Sequence, residues 1–196
     1  MAHEHLSRRG RTNLLPGFHV WSARWAAMSG AWHRTWLMRA VAIELDGVLG
    51  DTRPLWNDWL ADAARRFRSI APLEPVDLPQ DRAAAAEELD VWADQGVGDW
   101  RAALARFAED RVPVYLRPDA EVSVALRELA ERGHRLGVFT DAPEALARIA
   151  VAQLGADRRI DALEAGAGAL ERLLEQLGPD TVVVRERSQL PLQLTR

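Results

Sequence analysis

The strongest constraint on the fold is a short apolar run, Ala40-Val-Ala-Ile-Glu-Leu45, that stops abruptly at Asp46-Gly47. A run of this length bounded by turn residues reads as a buried strand. Two similar segments lie far downstream: Arg135-Leu-Gly-Val-Phe-Thr140 and Thr181-Val-Val-Val-Arg185. Helical patterns separate them. Asp119 can cap a helix that places Val122, Ala125, Leu126 and Leu129 on one face and stops at Gly133. Asp141, with Glu144 three residues later, has the pattern of a capping box, and that helix runs to about Leu154 before Gly155. Residues 167–177 read as a further helix. Strands alternating with helices predict a parallel sheet covered on both faces.

The alternation is interrupted straight after the first strand. Pro54 suits a first helical turn, and Leu55, Trp56, Trp59, Leu60, Ala63 and Phe67 then recur at helical spacing. Pro72, Pro75 and Pro79 mark a loop. Asp81 can cap a helix to about Gln95 and Asp99 another to about Asp110, with Gly96 and Gly98 between them. Residues 53–114 therefore form an all-helical block. Its tryptophans, Trp56, Trp59, Trp92 and Trp100, are expected to pack between the helices. His134, just past a helix stop, reads as a surface or capping residue.

Residues 1–38 differ from the rest. They hold five arginines and a single acid, Glu4, with four of the five histidines and four of the eight tryptophans. Trp21, Trp25, Met28, Trp32 and Trp36 share one narrow face if the stretch is helical. Such a helix could dock on a membrane surface or a partner, or pack on the domain. The competing expectation is an over-extended start, with translation beginning at Met38, directly before the first strand.

The 196 residues suit one domain with an insertion. The net charge of −4 gives no general attraction to nucleic acid. No run of about 20 apolar residues is present, so no stable membrane association is expected. The absence of cysteine removes disulfides, zinc-thiolate sites and thiol nucleophiles, and it is compatible with a cytoplasmic setting. All 25 basic residues are arginine. Without lysine there is no Schiff base, no P-loop lysine and no ammonium to balance a phosphate.

Ligands of doubly wound sheets sit outside the carboxyl ends of the strands. Glu44 and Asp46 end the first predicted strand, Thr140 ends the second, and Glu186 follows the last. Neighbouring strands would bring these groups to one cleft. Hard oxygen donors of this kind suit Mg²⁺ with a phosphate oxygen. Two carboxylates at i and i+2 can divide labour, one attacking or binding metal and the other moving a proton. Taken singly, each piece has an ordinary structural reading. Asp46-Gly47 is a common turn, Thr140-Asp141 an ordinary helix cap, and Glu186 a surface acid between two arginines. Their order, with a helical insertion after the first, is what points to a site.

Residues 41–52 resemble the first motif of the haloacid-dehalogenase-like (HAD) phosphatases: an apolar strand, Asp-x-Asp-Gly-Val/Thr-Leu, then Asp-Thr. Gly137-Val-Phe-Thr140 resembles the second. The resemblance spans about residues 39–188. It implies an α/β fold, a Rossmann-like parallel sheet with an inserted all-helical cap. The implied organisation is an N-terminal extension (1–38), a core formed by 39–52 and 115–196, and a cap over 53–114. It implies Mg²⁺-dependent hydrolysis of a small phosphorylated metabolite. Glu44 stands at the nucleophile position, Asp46 at the general acid/base and Thr140 at the phosphate-holding hydroxyl. Glu44, Asp46 and Glu186 match the metal ligands.

Three departures accompany the resemblance. The nucleophile position holds Glu rather than Asp, which moves the carboxylate by roughly one bond length; a misplacement of about 1 Å can cost on the order of 100-fold. The third motif's lysine is missing, with Arg158, Arg159 or Arg172 as candidate replacements. Arg185-Glu186-Arg187 stands where acids and glycine are usual, and the chain ends about ten residues later. Two functional expectations follow: a weakened phosphomonoester hydrolase, or a catalytically inactive relative that binds a ligand or partner.

Overall fold

The structure is a computed structural model, and it describes residues 39–70 and 78–190. The chain divides into two units, Met1–Trp36 and Leu37–Arg196, and the described residues all belong to the second. The tryptophan stripe and the expected start at Met38 lie outside the described residues.

The expected fold class is the one found. Strand β1 (Ala40–Glu44) is followed by a turn over Leu45–Leu49 and then by three helices: α1 (Arg53–Ile70), α2 (Arg82–Trp92) and α3 (Trp100–Tyr115). The α/β alternation resumes with α4 (Ala120–Glu131), β2 (Arg135–Thr140), α5 (Glu144–Gln153), β3 (Ala162–Ala165), α6 (Ala169–Leu177) and β4 (Val182–Val184). All pairings are parallel and the strand order is β3-β2-β1-β4. β1 is therefore central, and its carboxyl end lies beside those of β2 and β4.

Alternation along β1 sends its side chains to two apolar layers. Val41 and Ile43 join a large cluster that also holds the buried side chains of α1 to α5. Ala42 faces the other way and packs with Phe139, Ala169, Leu173 and Leu177. This second layer is thin because Gly137 admits α6 close to the sheet. A Cβ at that position would meet the Leu173 Cδ1 atom at 2.6 Å.

The inserted helices are not a loosely attached lobe, because their apolar residues belong to the same cluster as the sheet. Trp56, Trp59, Trp92 and Trp100 are each buried. The rings of Trp59 and its neighbours Trp56 and Trp100 lie 5.1 and 5.9 Å apart, centroid to centroid. Removing one buried aromatic of this kind typically costs about 3–5 kcal/mol.

Three helix starts match their predicted caps. Asp81, Asp99 and Asp119 each accept from backbone N–H groups of the first turn. Some boundaries differ. α2 ends at Trp92 and α3 continues to Tyr115. Strand β3 was not expected: Ala162-Leu-Glu-Ala165 has no β-branched residue, and parallel pairing with β2 is what makes it a strand. The predicted capping box at Asp141 does not form. α5 starts at Glu144 with Pro143 at its capping position, which offers no side-chain acceptor; Asp141 lies two residues earlier and accepts from Arg82.

Candidate active site

The turn after β1 places the first two acids. Asp46 is extended (φ −79°, ψ 115°), and Gly47 takes φ 102°, a left-handed conformation that glycine adopts without strain. The turn closes through Gly47 N–H to the Gly50 carbonyl at 2.7 Å and Gly50 N–H to the Leu45 carbonyl at 3.0 Å. Glu44 faces the cleft at the end of the strand, and Asp46 points inward. Thr140 lies at the end of the neighbouring strand. Glu44, Asp46 and Thr140 line one open cleft of about 330 Å³.

The Asp46 carboxylate is almost fully buried, with a tenth of its surface exposed. Its Oδ1 atom accepts from the Thr52 N–H at 2.5 Å and the Thr52 hydroxyl at 2.8 Å. Its Oδ2 atom accepts from Arg82 Nη1 at 2.9 Å and the Thr140 hydroxyl at 3.1 Å. A carboxylate offers about four lone-pair sites, two on each oxygen. All four are taken by donors of this chain.

Arg82 was not identified from sequence. It is the first residue of α2, only 4 % exposed, and reaches the core from the inserted helices. Besides Asp46 it bonds Asp141 Oδ1 at 2.9 Å and the Thr52 hydroxyl at 3.1 Å. The one cue in the sequence is an isolated arginine behind the Asp81 cap, followed by four alanines.

Glu44 is satisfied differently. Its carboxylate is partly exposed and stands 3.5 Å from Arg185 Nη1, a long ion pair. Partial burial raises its pKa above the ordinary 4.5, and the nearby Arg185 charge opposes that shift. Arg185 also lies over the Phe139 ring, 5.3 Å from its centroid. Arg53 lines the same cleft but is held by Asp51 at 2.7 and 2.8 Å. That pairing lowers the Asp51 pKa.

The far wall is the loop Gly166-Ala167-Gly168 and the start of α6, whose first turn has no side-chain cap. Arg172 holds this loop by donating to the Ala165 and Ala167 carbonyls and to Glu164. Its donors are thus engaged away from the cleft. Arg159 donates to the Gly155 carbonyl. None of Arg158, Arg159 and Arg172 lines the cleft; Arg185 lines it and pairs with Glu44.

Glu186 does not join the other acids. It starts a 3₁₀ turn over Arg187–Gln189, forms a reciprocal capping box with Gln189, and does not line the cleft. The expected metal set of Glu44, Asp46 and Glu186 is therefore not assembled. Among the described residues, no group of three His, Cys, Asp or Glu side chains is placed to hold a metal. Mg²⁺ asks for a near-octahedral shell of oxygens at about 2.0–2.1 Å. Asp46 has no lone pair left, and a guanidinium flanks Glu44. The residues as arranged do not fit Mg²⁺.

Among the described residues, no helix is long and apolar enough to cross a membrane. No family model matches the sequence, and no curated protein matches it. Solved structures do. A protein assigned as a beta-phosphoglucomutase from Thermotoga maritima is 19 % identical over 74 % of this chain and 75 % of its own, with a TM-score of 0.47. A HAD phosphatase from Thermococcus onnurineus is 17 % identical over 76 % of this chain and 77 % of its own, also at 0.47. A dehalogenase is 13 % identical over 76 % of each chain, at 0.39. The parallel sheet, the helical insertion after β1 and the cleft shared by Glu44, Asp46 and Thr140 make this chain an α/β fold with an inserted helical block beside its strand ends.

Proposed function

We propose that this chain is a HAD-like protein that binds a small phosphorylated metabolite in the cleft without hydrolysing it. The observation that carries this reading is the fourfold hydrogen bonding of Asp46. A general acid must give a proton to the leaving oxygen, and a general base must take one. A carboxylate whose four lone pairs are all engaged inside the protein can do neither without first breaking a buried ion pair. Phosphate binding is supported by the half-exposed guanidinium of Arg185 and the uncapped first turn of α6, which line the same cleft. A cytoplasmic setting, suggested by the lack of cysteine, is part of the proposal.

A second reading is Mg²⁺-dependent phosphomonoester hydrolysis at a weakened rate. It is favoured by the shared cleft of Glu44, Asp46 and Thr140. Here Glu44 would attack phosphorus and Asp46 would protonate the leaving oxygen. One set of measurements separates the two. Wild type, Glu44→Asp and Asp46→Asn are assayed on a panel of phosphorylated metabolites with Mg²⁺, and binding of the same panel is followed by calorimetry. The binding reading expects no turnover above buffer and an affinity that Arg185→Ala weakens. Wild-type turnover that Asp46→Asn abolishes would establish the hydrolase.

A further inference from the structure

One nitrogen, Arg82 Nη1, lies 2.9 Å from Asp46 Oδ2 and 2.9 Å from Asp141 Oδ1. The two carboxylates come from different strand ends, β1 and β2, and Arg82 comes from the start of α2. Thr52 closes the ring by donating its hydroxyl to Asp46 and accepting from Arg82 Nη2. The guanidinium is nearly inaccessible, and Asp141 is largely exposed.

We propose that Arg82 is a tethered cation, taking between Asp46 and Asp141 the place of a free divalent ion. Its charge offsets two carboxylates converging on one point, and its attachment to α2 ties the inserted helices to the strand ends. This rests on the preceding reading of the cleft only in taking Asp46 as internally engaged. A soluble cation and Arg82 then compete for the same oxygens. With Arg82 present, both Asp46 oxygens are engaged, and Nη1 occupies the point between Asp46 and Asp141 that an ion would take. With its charge removed, Asp46 and Asp141 lose the one cation in contact with both, leaving the more distant Arg53, itself paired with Asp51, to offset them and the nearby Glu44. Both oxygens already point at one position, and each would move inward by about 0.8 Å to reach Mg²⁺.

The test uses the full chain and Mg²⁺ alone, with no phosphate ester present. Thermal unfolding of wild type and Arg82→Gln is followed by tryptophan fluorescence in MgCl₂ and in NaCl of equal ionic strength. Wild type should respond identically to the two salts. Arg82→Gln should gain about 3–5 °C in MgCl₂ at ten times the dissociation constant. If Arg82→Gln does not fold in NaCl, MgCl₂ should restore its folding. A Mg²⁺-specific rise in wild type would overturn the proposal. So would an Arg82→Gln variant that Mg²⁺ neither stabilises nor rescues. Wild-type hydrolysis of phosphate esters without a Mg²⁺-specific shift would sink the functional reading and leave this inference standing.

Discussion

The two acids of the first motif are two residues apart, and their surroundings treat them in opposite ways. Asp46 is buried under four donors, one of them a guanidinium fixed by a second carboxylate. Glu44 looks into an open cleft toward one long, half-exposed ion pair. Removing one partner of a buried, hydrogen-bonded charge pair is expensive because the remaining charge stays out of water. A partly exposed pair is screened by solvent and contributes little. The comparison teaches that Asp46 carries structural weight, and that Glu44 is the acid free to meet a ligand.

The largest expected effect is on the Asp46 side. Asp46→Ala strips the partner from Arg82, Thr52 and Thr140 together and should lower stability by about 3–5 kcal/mol in urea unfolding. A loss near that of an ordinary surface substitution would break the comparison. Thr52→Val removes one hydroxyl that both donates to Asp46 and accepts from Arg82, with little change of volume. It should cost about 1–3 kcal/mol, again read from urea unfolding.

The smallest effect is on the other side and sharpens the contrast through its sign. The folded-state pKa of Glu44 lies above 4.5, so the folded protein binds this proton more tightly than the unfolded chain. Its contribution to stability therefore falls as pH rises from 4.5 through the folded-state pKa. Glu44→Gln lacks this term. Relative to wild type, its melting temperature should climb between pH 4 and pH 7. A Glu44→Gln variant that falls behind wild type over that range would show that the Arg185 pair outweighs burial.

The two sides also differ in how far they were legible in the sequence. Glu44, Asp46 and Thr140 could be placed together because each ends an apolar run, and a parallel sheet gathers such ends. The helical insertion was legible from its 3.6-residue periodicity and three aspartate caps. The neutralising groups were not. Arg82 meets Asp46 across 36 residues and Asp141 across 59, a pairing that no local pattern encodes. Arg185 sits among charged neighbours like a surface residue, and only the pairing of β4 with β1 brings it to Glu44. Glu186 was misplaced for the related reason that its capping interaction with Gln189 turns it from the cleft. Strand β3 was hidden by Ala162-Leu-Glu-Ala165, a sequence as suited to a helix as to a sheet edge.

The central claim is that Asp46 and Arg82 form one internally satisfied unit. A double-mutant cycle tests it most directly, with Asp46→Asn, Arg82→Met and the double variant compared by urea unfolding at pH 7. The account predicts that the single losses exceed the double loss, with a coupling of about 2–3 kcal/mol. Additivity within about 0.5 kcal/mol would contradict it.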